Sequence, residues 1–169
     1  SAVMLIDASG NVIWEIAGDA DIRSLNDDAY PQLYQVSDWS QQSYYLIDIE
    51  TGERGPALTN FITYIGNGWY TSSAYQQSLQ IYRWGDSEPW LEFDDDNYVN
   101  AWMELLTGTE DIAAIQMAAE TSDGSYVNYT LLYDLSEKKE IAQIDGVYYN
   151  YLDFGKGYVF SDPRTGVYN

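Results

Sequence analysis

The chain predicts an all-β, propeller-like fold of four repeats, each of about four antiparallel strands. Three observations carry that expectation. Short β-branched and aromatic runs alternate with Gly, Asp, Asn and Ser punctuation, the pattern of strands and turns. One hairpin grammar recurs, and its strand-ending residues Asp7, Asp48, Trp84 and Asp134 lie 41, 36 and 50 positions apart. Within Tyr126–Asp134 both alternating faces are largely apolar or aromatic, as sheets packed between neighbours require.

The hairpins come first. Val3–Asp7 turns through Ala8-Ser9-Gly10-Asn11 into Val12–Ile16. Tyr45–Asp48 turns through Ile49-Glu50-Thr51-Gly52-Glu53 and returns through Pro56-Ala57-Leu58. Leu79–Trp84 turns at Gly85-Asp86-Ser87-Glu88 into Trp90–Phe93, and Tyr129–Asp134 at Ser136-Glu137-Lys138 into Ile141–Ile144. Asp7 and Asp48 sit where an Asp side chain can bond backbone N–H groups two residues on. Gly10 and Gly52 supply the positive φ that closes such turns.

Each hairpin is followed by a third apolar run: Asp21–Leu25, Phe61–Ile65, Tyr98–Met103 and Val147–Leu152. A fourth follows a corner: Leu33–Ser37, Trp69–Ala74, Ile112–Ala118 and Tyr158–Ser161. The repeats therefore divide one domain, 1–169, into units near 1–31, 32–66, 67–108 and 109–154, with 155–169 a leading strand. A small sheet cannot bury both faces alone, so such units stack. If the last strand completes the first unit, a four-bladed ring closes and removes the exposed edges. Alternatively the chain is cut from a longer array, with Thr165-Gly166-Val167-Tyr168 opening a further hairpin. One segment conflicts with the repeat. Thr107-Gly108-Thr109-Glu110 is a capping-box pattern and 111–119 has helix-forming composition, whereas the repeat register requires a strand over 110–120. The register is preferred, because tertiary context overrides propensity.

Composition narrows function by exclusion. The 169 residues carry 27 Asp+Glu against 7 Lys+Arg, a formal charge of −20, with no His and no Cys. The usual magnitude for a small soluble domain is about 2–8. Such a surface repels nucleic acid and anionic lipid, while a cationic partner, a divalent ion or an uncharged polymer is compatible with it. Without His or Cys there is no Ser-His-Asp or Cys-His catalysis, no thiolate chemistry and no disulfide. No apolar run approaches the length of a membrane-spanning helix. The Ser1-Ala2 start, which lacks Met, reads as that of a mature or excised fragment.

The hairpins Leu5-Ile6-Asp7-Ala8-Ser9-Gly10-Asn11-Val12-Ile13 and Leu46-Ile47-Asp48-Ile49-Glu50-Thr51-Gly52-Glu53 resemble the unit of the WG-repeat family of bacterial β-propeller-like proteins. Phe160-Ser161-Asp162-Pro163-Arg164-Thr165-Gly166 is a looser echo. The family's Trp-Gly pair is absent: Val3-Met4 and Tyr44-Tyr45 stand in its place. The resemblance implies a secreted or surface-anchored bacterial protein with an interaction role, and it brings no catalytic residues with it.

Candidate sites are few. Asp86, Glu88, Glu92, Asp94, Asp95 and Asp96 form the densest acidic stretch, and Asp94, Asp95 and Asp96 are candidate Ca²⁺ ligands. The EF-hand pattern fails there for want of its glycine and closing Glu, so a solvated acidic turn is the competing account. Ca²⁺ is the ion these carboxylates would suit, and no cofactor is predicted. Gly85-Asp86-Ser87 has the look of a hydrolase block, but no His serves as base. A glycosidase working through paired carboxylates is the one enzyme class the composition admits, and no pair stands out. The aromatic surplus is more informative. Trp39, Trp69, Trp90 and Tyr75 are the ligand-binding candidates, with Trp84 and Trp102 behind them; the competing role for each tryptophan is packing between sheets. Trp39 stands in the polar loop Ser37-Asp38-Trp39-Ser40-Gln41-Gln42, and Tyr75-Gln76-Gln77-Ser78 repeats that chemistry one unit on. The expectation is a non-catalytic extracytoplasmic binding or scaffold domain acting on a protein or a surface. A carbohydrate-binding module using exposed Trp and Tyr is the alternative, and the glycosidase comes third.

Overall fold

The computed structural model describes residues 1–73, 78–93, 98–106, 109–146, 150–153 and 158–161, with backbone alone for 98–102, 150–153 and 158–161. Within them the chain is all strand and turn. Five sheets follow the chain in order. The first pairs β1 (Ala2–Ile6) with β2 (Val12–Ala17), and the second joins β3 (Ala20–Ser24), β4 (Leu33–Asp38) and β5 (Ser43–Asp48). The third holds β6 (Ile62–Gly66), β7 (Trp69–Ser73), β8 (Leu79–Arg83) and β9 (Leu91–Phe93). The fourth holds β10 (Tyr98–Leu105), β11 (Ile112–Glu120), β12 (Tyr126–Asp134) and β13 (Lys139–Asp145), and the fifth pairs β14 (Asn150–Asp153) with β15 (Tyr158–Ser161). Hydrogen bonding groups the strands one step out of phase with units cut at 31/32 and 66/67. The third sheet opens on β6, for example, where the 67–108 unit opens on β7. Among the described residues β1 pairs with β2 and β14 with β15, with no further strand in either sheet. Among the described residues there is no helix long and apolar enough to cross a membrane.

The strands form two compact units, Ser1–Ala74 with Gln80–Glu92, and Tyr75–Leu79 with Phe93–Asn169. In the first, the β3–β4–β5 sheet is covered on both faces. Alternation sends Val36, Tyr45 and Ile47 to one side, where they meet Ile16, Val3 and Trp14 of the first sheet. Leu46 goes to the other side and packs with Ile62, Tyr70 and Tyr82 of the third sheet. Three successive sheets thus stack face to face, and the tyrosines Tyr70 and Tyr82 lie parallel at 5.3 Å. Asp27 ties the β3–β4 loop to the next sheet. Its Oδ2 accepts bonds from the Tyr64 hydroxyl at 2.6 Å and the Asn67 N–H at 2.8 Å.

The predicted turn chemistry is present. Asp7 Oδ1 accepts the Ser9 and Asn11 N–H groups at 2.8 and 2.9 Å, and Asp48 Oδ1 accepts those of Glu50 and Thr51 at 2.8 and 2.9 Å. Gly10 and Gly52 hold φ of 86° and 76°, values an L side chain adopts only under strain. The expected return strand at 56–58 is reduced to two bridges, Ile47↔Arg54 and Tyr44↔Leu58. Pro56 stands between them, with no N–H to add to a ladder.

In the second unit, 112–120 is a strand despite its helix-forming composition. β11 pairs with β12 from Ile112↔Asp134 to Glu120↔Tyr126, and with β10 on its other edge. Ala113, Ala114, Ile115 and Met117 are all buried. A helix there would leave both neighbouring ladders unpaired, which outweighs the tenths of a kcal/mol per residue in helix propensity. Leu106 and Ala114 pack with Ile112, Leu132 and Ile144 on one side of this sheet.

Candidate binding site

The turn from β4 to β5, residues 39–42, brings together the most chemistry. Its conformation is locally specified: Asp38 Oδ1 accepts the Gln41 N–H at 3.0 Å, and Gln42 takes a φ of 52°. It is also clipped to the β2–β3 corner. The Trp39 N–H donates to the Asp19 carbonyl at 2.9 Å, and the Asp19 N–H donates to Ser40 Oγ at 2.6 Å.

On one side of the turn lies an aromatic strip. Trp39 is 50% exposed and its Nε1 donates to Asp21 Oδ2 at 3.2 Å. Its ring meets Tyr44 edge-on at 6.0 Å, and Tyr44 meets Phe61 at 5.4 Å. Phe61 is 51% exposed, and the Arg23 guanidinium sits 5.9 Å from its ring centre. Strand register explains the company: Asp21, Ser37 and Tyr44 stand opposite one another and so share a face.

The other side of the turn forms a groove of about 420 Å³, lined by Asp38, Gln41, Gln42, Ser43, Tyr45 and Arg54 among others. Tyr44 and Tyr45 are consecutive strand residues, so one enters the strip and the other the groove. Asp38 and Tyr45 are both buried, and the Tyr45 hydroxyl has no hydrogen-bond partner among the described residues. Burial pushes the Tyr45 hydroxyl pKa up; the Arg54 guanidinium opposes this and the Asp38 carboxylate adds to it. Arg54 lies 5.5 Å from the centre of the Tyr45 ring and donates Nη2 to the Glu15 carbonyl at 3.1 Å. Among the described residues Asp38 is the one carboxylate lining this groove, where a two-carboxylate glycosidase needs a pair.

The other predicted residues fall elsewhere. Trp69 is fully buried, edge-on to Trp90 at 6.2 Å, with Arg83 5.3 Å from its ring centre. As a ligand-binding candidate it is therefore corrected: it occupies the packing role, because residues two apart on one strand share a face and the Trp69 face of β7 is covered. Trp90 is partly buried beside it. Tyr75, Asp94, Asp95 and Asp96 lie outside the described residues, as does the side chain of Trp102. Among the described residues no three acidic side chains gather as a metal site. Tyr44, Phe61, Arg23, Asp38 and Arg54 were not singled out from the sequence. The alternation of Tyr44 and Tyr45 was the available signal, but only the stacking of sheets shows what each meets.

No protein-family model matches the chain, and no curated protein matches its sequence.

Proposed function

We propose that this chain is a non-catalytic recognition domain of propeller-like architecture, working outside the cytoplasm by binding a protein or a cell surface along its rim. The observation that carries this is the strip Trp39–Tyr44–Phe61, two of whose three rings are half exposed, flanked by Arg23 and Asp21. Aromatic and Arg side chains are the anchors that dominate binding energy at protein interfaces. Edge-on packing also fixes the rings before binding, so little side-chain entropy is lost on association. The lack of His and Cys supports binding over catalysis.

The strip is tested with a Trp39→Ala/Phe61→Ala variant, comparing its retention on intact bacterial cells of the source with that of the parent. Loss of tenfold or more in retention, at unchanged Tm, is the expected result; equal retention removes the strip from the function. The ring architecture has its own test. β1–β2 and β14–β15 are two-stranded among the described residues, and in the proposed ring they would complete one four-stranded unit. In a closed ring, deleting 150–169 strips hydrogen-exchange protection from the β1 amides. Unchanged protection makes the chain an open array instead.

A further inference from the structure

We propose that Asn67-Gly68 is a latent site of self-modification, deamidation through a succinimide, and that Tyr64 and Asp27 hold it shut in the folded chain. This goes beyond the aromatic strip and does not depend on it. Asn67-Gly68 is the one Asn-Gly dipeptide in the sequence. It closes the β6–β7 hairpin, with Gly66 opposite Trp69 and φ of 49° and 79° at Asn67 and Gly68. Positive φ at both central residues marks a type I′ turn, for which Asn-Gly is a preferred pair.

The dipeptide that suits the turn is also chemically labile. The Gly68 nitrogen attacks Asn67 Cγ and gives up its proton. The new N–C bond closes a five-membered ring, and the side-chain nitrogen leaves as ammonia with that proton. Water then opens the ring at either carbonyl, to aspartate or isoaspartate. Glycine puts no Cβ in the path of the attack.

In the fold the reacting groups are pinned. The Gly68 N–H donates to the Tyr64 hydroxyl at 2.9 Å, and that hydroxyl donates to Asp27 Oδ2 at 2.6 Å. The same Oδ2 accepts the Asn67 N–H at 2.8 Å, and the Gly68 carbonyl accepts the Trp84 N–H at 2.7 Å. The peptide planes 66–67, 67–68 and 68–69 are thus each bonded to a group outside the turn. Gly68 is buried, and a methyl added there would stand 3.1 Å from the Tyr30 ring. Ring closure must turn the 67–68 plane and break the bond to Tyr64. The Tyr64 proton is committed to Asp27, so its oxygen meets Gly68 as an acceptor and keeps the N–H where it is.

The test follows Asn67 by peptide mass spectrometry with isoaspartate detection, in the whole chain kept in mildly alkaline buffer well below Tm. The folded parent is expected to retain Asn67 while the same chain in urea deamidates there. Tyr64→Phe keeps the ring and removes the acceptor. It should deamidate at Asn67 about fivefold faster than the folded parent, the rate equivalent of one hydrogen bond. Asp27→Ala frees the Asn67 N–H and loosens Tyr64; it should accelerate the reaction by a smaller factor, and it carries the test where Tyr64→Phe does not fold. Leu46→Ala lowers stability between the same two sheets without touching the turn, and should deamidate more slowly than either. Leu46→Ala ahead of Tyr64→Phe would assign the protection to the fold at large and overturn the proposal. A folded parent that deamidates as fast as the unfolded chain overturns it too, as does a Tyr64→Phe variant that matches the parent. A slower Tyr64→Phe variant would make the hydroxyl a proton relay that promotes the attack, and equally overturns it.

Discussion

Two hairpins built on one local grammar end in different surroundings. In the β1–β2 hairpin, Met4, Ile6, Val12 and Ile13 are each about half exposed, and a methyl placed at Gly10 would meet nothing within 4 Å. In β5 and its turn, Leu46 and Ile47 are fully buried, and the same methyl at Gly52 would touch the Trp14 ring at 3.4 Å. Trp14 also donates Nε1 to the Ile49 carbonyl at 2.9 Å, docking the first sheet on the second hairpin's turn. Each turn uses its Asp carboxylate to bind backbone N–H groups and closes on a glycine of positive φ, although Gly10 follows Asp7 by three residues and Gly52 follows Asp48 by four. Turn chemistry therefore makes the hairpin, and stacking alone decides how much of it is core.

The largest effect that would break this comparison is core truncation. Leu46→Ala or Ile47→Ala should cost about 2–5 kcal/mol in urea unfolding, against about 1 kcal/mol or less for Ile6→Ala. Equal costs would mean that the first sheet is as tightly held as the second. Next comes the link between sheets. Asp27→Ala removes the acceptor for Tyr64 and Asn67 and should cost about 1–3 kcal/mol.

Asp27 also predicts a pH dependence. Burial pushes its carboxyl up, but the Tyr64 hydroxyl and the N–H groups of Ala29, Asn67 and Tyr30 outweigh that and hold it below the ordinary value of 3.8. A carboxyl lowered on folding binds its proton more readily in the unfolded chain. Its contribution is therefore complete above about pH 4 and is lost as the pH falls further. Asp27→Asn should flatten the acid limb of the Tm profile relative to the parent; superimposable limbs would show the link to be energetically silent.

The smallest effect sharpens the turns themselves. Gly10→Ala and Gly52→Ala should each cost about 1–2 kcal/mol for the left-handed backbone. Gly52→Ala should be slightly the cheaper, since its methyl gains ordinary contact with Trp14. A Gly52 variant that is clearly the worse would show that Trp14 tolerates no added atom.

Local signals were legible from the sequence to the extent that local physics governs them. The Asp-based turns, the run boundaries and the strand over 112–120 follow from side-chain bonding, alternation and repeat register. The return through Pro56 shows a local feature winning the other way: with a missing N–H, what would be a fourth strand of the β3–β4–β5 sheet is held to two bridges. The site was less legible. Trp39 stood out because its loop is polar on every side, and it is indeed exposed. Trp69 could not be separated from it, because the cover over its face comes from elsewhere in the fold. The groove was out of reach altogether, since Asp38 and Arg54 line it from a turn and a return segment whose geometry no spacing encodes.

The placement of the tryptophans has an optical consequence. Among the described ones Trp39 alone is exposed, while Trp69 is buried and the partly buried Trp90 sits 6.2 Å from it, centroid to centroid, at 62°. Acrylamide quenching will read the aromatic strip most strongly through Trp39, and the coupled indole pair will report the packing of the third sheet by circular dichroism. The exposure of the strip and the integrity of the fold can thus be followed in one cuvette, without a label.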